Sequence, residues 1–90
     1  MNLDQVLRTA VKQSITSLYG ESPDTLQVQP TNQEFDGSHT IVCFPLTKLS
    51  RKGPEETARQ IGDNLVKTSG FVERFNVVKG FLNLVLTDRL

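Results

Sequence analysis

Two strand-like segments near the end of the chain, residues 71–78 and 81–86, are separated by only Lys79 and Gly80. A two-residue connection that contains glycine is typical of a tight β-hairpin, whose strands run antiparallel. Because successive side chains of a strand point to opposite faces, such a hairpin offers one face to the core and leaves the other for different contacts. The fold must therefore be built around an antiparallel sheet.

The register of this hairpin follows if Val78 faces Phe81 across the turn. One face then carries only apolar side chains and is predicted to be core: Phe75, Val77, Leu82 and Leu84. The outer face carries a mixture of cationic, amide, aromatic and apolar side chains: Arg74, Asn76, Phe81, Asn83 and Val85.

Two segments have the apolar spacing of helices. Residues 3–18 place apolar side chains three and four positions apart, and Gly20 can adopt the left-handed conformation of a helix cap. These side chains form one predicted apolar stripe: Leu3, Val6, Leu7, Ala10, Val11, Ile15 and Leu18. A second helix begins at Pro54, is followed by acidic residues in its first turn, and contains Gly62, which predicts close packing against the sheet. Its buried stripe is predicted to be Ala58, Ile61, Leu65 and Val66.

Two further strands are predicted before the second helix, over residues 25–29 and 39–44. The polar segment 30–38 between them predicts a turn with Asp36-Gly37 at its tip, and residues 46–52 form a basic connector. The order helix, strand, strand, helix, strand, strand predicts an α+β fold. We expect a two-layer sandwich in which both helices cover one face of an antiparallel four-stranded sheet.

Length and composition limit the classes of function. Ninety residues with ten cationic and ten anionic side chains indicate a single domain over residues 1–90 with no net charge. The start of the chain shows no export signal, and no apolar run is long enough to cross a membrane. One cysteine cannot form an internal disulfide, and the sequence suggests no metal site. We therefore expect a cytoplasmic, monomeric protein with no membrane partner.

No set of residues in the sequence suits catalysis. His39 and Cys43 are the one histidine and the one cysteine, and they lie too far apart along one predicted strand to act as a pair. The acidic residues are scattered, and no glycine-rich phosphate-binding motif is present. We predict no catalytic residue in this chain.

The outer face of the hairpin is the first candidate binding site. Phe81 offers a flat ring on which a base can stack, and the Asn83 amide on the same side can both donate to and accept from a base edge. Arg74 and Asn76 lie across the strand pair from them, and Arg74 is predicted to contact a phosphate. The alternative is that another element covers Phe81 and that Asn76 and Asn83 form an ordinary cross-strand amide pair.

The basic connector is the second candidate. Lys48, Arg51 and Lys52 precede the positive end of the second helix, where backbone N–H groups and cations can together receive a phosphate. With three such contacts to single-stranded nucleic acid, a plot of the logarithm of the binding constant against the logarithm of the salt concentration has a slope of only about −2. This site would therefore be auxiliary. An equally open alternative is that these residues form a solvated loop that keeps the sheet edge soluble.

Several segments of the chain occur together, in the same order and spacing, in one known family. They are Val28-Gln29-Pro30-Thr31, Glu34-Phe35-Asp36-Gly37, Ile41-Val42-Cys43-Phe44-Pro45-Leu46, Pro54-Glu55-Glu56-Thr57-Ala58 with Ile61-Gly62, and Gly80-Phe81-Leu82-Asn83. This ordered set resembles the N-terminal additional domain of arginyl-tRNA synthetases, most closely the bacterial forms with Phe-Pro after the second strand. The resemblance covers nearly the whole chain.

The resemblance implies an α+β sandwich that contacts the outer corner of tRNA, where the D-loop nucleotide at position 20 meets a Gly-aromatic-aliphatic-amide motif. On this sequence the motif corresponds to Gly80, Phe81 and Asn83, with Gly80 allowing a close turn of the backbone. Lys79 stands where the family often has Gly or Pro, which implies an altered turn or an added phosphate contact. The family's frequent Gly-Asp-aromatic-Gln is replaced by residues 37–40, to which we assign no role.

The resemblance also implies a longer parent enzyme, an arginine–tRNA ligase that activates arginine with ATP and magnesium. The signatures of its catalytic domain are absent from these ninety residues. The chain is then expected to be a tRNA-docking accessory that contacts arginine tRNA and the catalytic domain of the same chain. The alternative is a structural or protein-interaction module that packs on a neighbouring domain, and a free-standing small enzyme is the least favoured interpretation.

Overall fold

The computed structural model describes residues 2–88. Three helices and four strands follow one another along the chain: α1 Leu3–Tyr19, β1 Val28–Pro30, β2 His39–Val42, α2 Thr47–Ser50, α3 Pro54–Thr68, β3 Val72–Val78 and β4 Phe81–Leu86. A 3-10 turn, Phe44–Leu46, precedes the short α2.

The four strands form one antiparallel sheet in the order β1-β2-β4-β3. In the β3–β4 hairpin Val78 pairs with Phe81 and Asn76 pairs with Asn83, which confirms the predicted register. Helices α1 and α3 pack on each other, and α3 packs on β3 and β4. The prediction of a two-layer α+β sandwich is confirmed.

The core lies between the helices and one face of the sheet. Fully buried side chains come from both layers: Leu7, Val11 and Ile15 of α1, Ala58, Ile61 and Leu65 of α3, and Ile41, Leu82 and Leu84 of the sheet. Three predicted members of the helical stripes, Leu3, Leu18 and Val66, are instead exposed. They lie in the first or last turns of their helices, and apolar spacing alone does not show where a helix extends beyond its partner.

Close packing at Gly62 is confirmed. A β-carbon added to Gly62 would lie 2.7 Å from two ring atoms of Phe75 on β3. Real β-carbons essentially never come this close to another atom, so the backbone of α3 lies directly against the Phe75 ring. The helix begins at the predicted place, with Gly53 as N-cap and Pro54 in the first turn.

The first two strands are shorter than predicted. β1 covers Val28–Pro30 rather than residues 25–29, because β2 offers only a short pairing edge and Gln27 contributes a single carbonyl bond to Val42. β2 ends at Val42 because Pro45 lies in the 3-10 turn, whose backbone angles suit the fixed φ of proline. The basic segment 46–52 is also more ordered than a connector, since it contains α2.

The turn between β1 and β2 lies earlier than the predicted tip at Asp36-Gly37. Its tight part is Asn32–Phe35, where the Phe35 N–H donates to the Asn32 carbonyl over 2.9 Å. The Asn32 side chain supports this turn by accepting from the Glu34 N–H over 2.9 Å, the pattern of an Asx turn. Residues after the turn fold back over the outer face of the sheet. We call residues 31–38 the covering loop.

Candidate functional site

The outer face of the sheet contains a pocket between the covering loop and the β3–β4 hairpin. Its volume is about 300 Å³, at the lower end of the range of small-ligand sites. Two aromatic rings, several amide or hydroxyl groups, one aliphatic side chain and one cation line it: Phe35, Phe81, Gln29, Asn32, Thr40, Asn83, Val78 and Lys79. We call this the outer-face pocket. Its lining suits a flat ligand with a polar edge.

Phe81 stands at one side of this pocket and is half-buried. Its ring meets the Phe44 ring edge-on, with centroids 5.8 Å apart and planes at 78°, a favourable aromatic geometry. Gly80 is needed beside it, because a β-carbon there would lie 2.9 Å from both the Phe44 ring and Pro54. The 3-10 turn therefore orients the Phe81 ring and leaves Phe81 in the pocket lining.

Asn83 forms part of the pocket lining but is only 2% exposed. Its Oδ1 lies 2.6 Å from the Thr40 hydroxyl, and its Nδ2 donates to Oδ1 of Asn76 over 2.9 Å. The cross-strand amide pair, which was the alternative interpretation of this face, is therefore present. Each end of the carboxamide makes one such bond, whereas a carboxamide has two donor hydrogens and two acceptor lone pairs. Asn83 thus keeps capacity for a further partner.

Arg74 and Asn76 hold the covering loop. Arg74 donates to Oδ2 of Asp36 from Nη2 over 2.7 Å and from Nε over 3.2 Å, and it also pairs with Glu73. The hydrogen bond to Asp36 raises the pKa of the Arg74 guanidinium, which stays charged. Asn76 Nδ2 donates to the backbone carbonyl of Asp36 over 2.7 Å. The guanidinium of Arg74 is thus already paired with two carboxylates.

The four other predicted cations are exposed but lie in different places. Lys79 lines the outer-face pocket at the hairpin turn. Lys48 lies in α2, Arg51 caps this helix with a left-handed φ of 60°, and Lys52 lines a separate hollow with side chains of α1 and α3. Of these four cations, the structure therefore brings Lys79 alone directly to the pocket.

The start of α3 also carries negative charge. Glu55 and Glu56 lie in its first turn, which partly offsets the cations before it. Hydroxyl groups of Ser50 and Thr57, 2.6 Å apart, join α2 to this first turn and fix the basic segment against α3.

Groups suited to catalysis do not converge in the part of the chain described. Burial raises the pKa of the Cys43 thiol to about 12, so this side chain stays a neutral member of the core. His39 contacts the neighbouring Ser38 hydroxyl over 2.7 Å. Among residues 2–88 no cluster of three potential metal ligands occurs, and no helix is long and apolar enough to span a membrane.

Sequence reasoning missed the covering loop's contribution to the pocket. The sequence pattern places Phe35 and Asn32 in a polar turn and Gln29 and Thr40 in strands, and it indicates no role in binding for any of them. One signal was available, because Phe35 is the single aromatic residue in the polar segment 30–38. An aromatic ring in such a segment marks a place where the loop contacts something apolar.

The comparisons with known proteins all indicate the same family. The family model described as arginyl tRNA synthetase N terminal domain matches residues 5–86. Arginine–tRNA ligases of Bacteroides fragilis and Bacteroides thetaiotaomicron are 44% and 46% identical to the chain over 90 residues. Each of these alignments covers 98% of this chain and 15% of the relative.

A solved structure is also similar. Thermus thermophilus arginyl-tRNA synthetase matches with a TM-score of 0.76 and 29% identity, over 96% of this chain and 14% of that one. The chain therefore spans only a small part of the length of the proteins it matches.

Proposed function

The chain belongs to the family of arginyl-tRNA synthetase N-terminal domains, and from that premise we propose that it binds tRNA for an arginine–tRNA ligase. In this proposal the full-length enzyme attaches arginine to its tRNA with ATP and magnesium, and these ninety residues dock the outer corner of the tRNA. In this proposal the chain's own contribution is binding.

The observation that carries the proposal is the outer-face pocket. Phe81 supplies a stacking surface that Phe44 orients, and Asn83 supplies an amide with unused hydrogen-bonding capacity at the same pocket. An unpaired base of the tRNA D-loop has the matching chemistry, since it is flat and has a polar edge. Phe81 then stacks on this base and Asn83 binds its edge.

Cations around the pocket complete the proposed interface. Lys79 lies at the pocket itself, while Lys48, Arg51 and Lys52 would contact phosphates further along the backbone. Arg74 and Asn76 remain predicted members of the interface, but both are already bonded to Asp36.

The test is tRNA binding and charging by the full-length protein with Phe81→Leu. This change keeps an apolar side chain beside Phe44 and removes the aromatic face. Stacking of one base on an aromatic ring contributes roughly 1–3 kcal/mol, so we expect affinity for arginine tRNA to fall by at least about fivefold. Phe81→Tyr is the matched control and should retain binding. Unchanged charging at limiting tRNA by a Phe81→Leu, Asn83→Ala variant would refute the proposal.

A second function is favoured by one observation. The Phe44 ring is 49% exposed beside Phe81, and such a ring can pack against a neighbouring domain. A structure of the full-length protein that buries Phe44 and Phe81 together under another domain would support this structural module instead.

A further inference from the structure

The covering loop contributes an aromatic wall to the outer-face pocket. Phe35 lines the pocket together with Phe81 and is 37% exposed, although its loop lies against the sheet. The Asn32–Phe35 turn fixes the backbone at this residue through two hydrogen bonds to Asn32. The loop therefore presents the Phe35 ring to the pocket.

A directional chain of hydrogen bonds holds this loop on both sides of its tight turn. The Thr40 hydroxyl has one proton, and the Asn83 carboxamide oxygen can only accept, so Thr40 donates to Asn83 over 2.6 Å. The Thr31 hydroxyl, 2.9 Å from that of Thr40, must then be the donor to Thr40. From Asn83 the chain continues through Asn76 to the backbone carbonyl of Asp36.

The consequence is that Asn83 is connected to the covering loop on both sides of its tight turn. Thr31 lies before the tight turn and Asp36 lies directly after Phe35. Arg74 adds a third attachment, through its two hydrogen bonds to the Asp36 carboxylate. An exposed ion pair of this kind contributes little to global stability, so its main effect is to restrict where the loop lies.

We propose that Phe35 is a second stacking surface for the tRNA base, and that the Asp36–Arg74 pair is a positioning device for it. This inference rests on the proposed function. The base lies between Phe35 and Phe81, and Asn32 and Asn83 face its polar edge. Arg74 acts through Asp36 on the loop and does not contact a phosphate.

The first experiment measures the affinity of the full-length protein for two arginine tRNA transcripts, one intact and one abasic at the D-loop nucleotide. Phe35→Ala should weaken binding of the intact transcript by about tenfold and leave binding of the abasic transcript unchanged. Phe35→Tyr should behave as the wild type. Leu18→Ala is the matched control, because Leu18 is also 37% exposed but lies on α1.

The outcomes separate the two proposals. If Phe81→Leu and the abasic transcript both lower the affinity but Phe35→Ala does not, the role of Phe35 as a second stacking surface is overturned and the proposed function stands. No loss with any of the three would overturn the proposed function as well. A Phe35→Ala variant that weakens both transcripts equally would show a general effect on the fold and would also overturn the inference.

The second experiment distinguishes positioning by Arg74 from a phosphate contact. If Arg74 bound a phosphate, Arg74→Gln would make the log–log salt slope of tRNA binding shallower by about 0.7. A positioning residue should lower affinity with the slope unchanged. The exchanged pair Asp36→Arg with Arg74→Asp should then restore affinity relative to Arg74→Gln. A shallower slope, or no rescue by the exchanged pair, would overturn the positioning role.

Discussion

Gly62 sets the distance between helix α3 and the sheet. Alanine favours a helix interior by about 1 kcal/mol relative to glycine, so Gly62→Ala would stabilise an unhindered helix. Here the added methyl group would meet the Phe75 ring at 2.7 Å, and overpacking of this kind costs roughly 1–3 kcal/mol. We expect a net loss of unfolding free energy, measured by urea denaturation.

The mechanism can be checked in a background that has more space. With Phe75→Leu already present, the clash is relieved and Gly62→Ala should become neutral or stabilising. Equal destabilisation in both backgrounds would mean that the Phe75 ring does not set the cost.

Residues differ in how well their surroundings could be predicted. The placement of Gly62 against the sheet was predictable, because a glycine on the apolar stripe of a helix weakens that helix and is typical of close backbone packing. The face of Asn83 was also predictable from strand alternation, but its burial was not. Its burial depends on the covering loop, whose path is set by side-chain hydrogen bonds rather than by any period in the sequence.

At the scale of elements, the β3–β4 turn contains an unfavourable backbone conformation at Lys79, a residue that also has a proposed role in binding. Lys79 has a φ of 51° and Gly80 a φ of 83°, so both residues adopt left-handed conformations, as in a type I′ hairpin. Asparagine tolerates this region far better than lysine does. Lys79→Asn should therefore raise the unfolding free energy by about 0.5–1 kcal/mol in a denaturant titration.

The same change should weaken tRNA binding if Lys79 contacts a phosphate. Lys79→Gln separates the two effects, because it removes the charge without improving the turn. It should leave stability near the wild-type value and reduce affinity as much as Lys79→Asn does. Wild-type affinity in both variants would remove Lys79 from the proposed interface.

The arrangement of the helices and strands was easier to predict than the residues at which each of them begins and ends. The two amphipathic helices and the two-residue hairpin left few arrangements other than the sandwich. The limits of β1 and β2 depend on how many residues the partner strand offers, and the covering loop depends on the outer sheet face. The sequence of a strand or loop does not show which strand it pairs with or which surface it packs on. The side of the outer-face pocket that the covering loop forms was therefore missed.

At the scale of the whole molecule, the chain has no net charge to attract a polyanion. Electrostatic binding must then come from the arrangement of cations, and Lys48, Arg51, Lys52 and Lys79 are the four we assign to phosphates. Four contacts to a single strand give a log–log salt slope of about −3. We expect this slope for arginine tRNA binding by these ninety residues alone, measured by fluorescence anisotropy over a range of salt concentrations.

Replacing Lys48, Arg51 and Lys52 with glutamine should reduce the slope to about −1, since only Lys79 then remains. A matched control removes three cations from the helices instead: Lys12, Arg59 and Lys67. Both triple variants change the net charge equally, so a general loss of positive charge would affect them alike. A reduced slope in the first variant alone would identify the basic segment as the source. Equal slopes in the two variants would contradict the assignment, because binding would then respond to total charge and not to its placement.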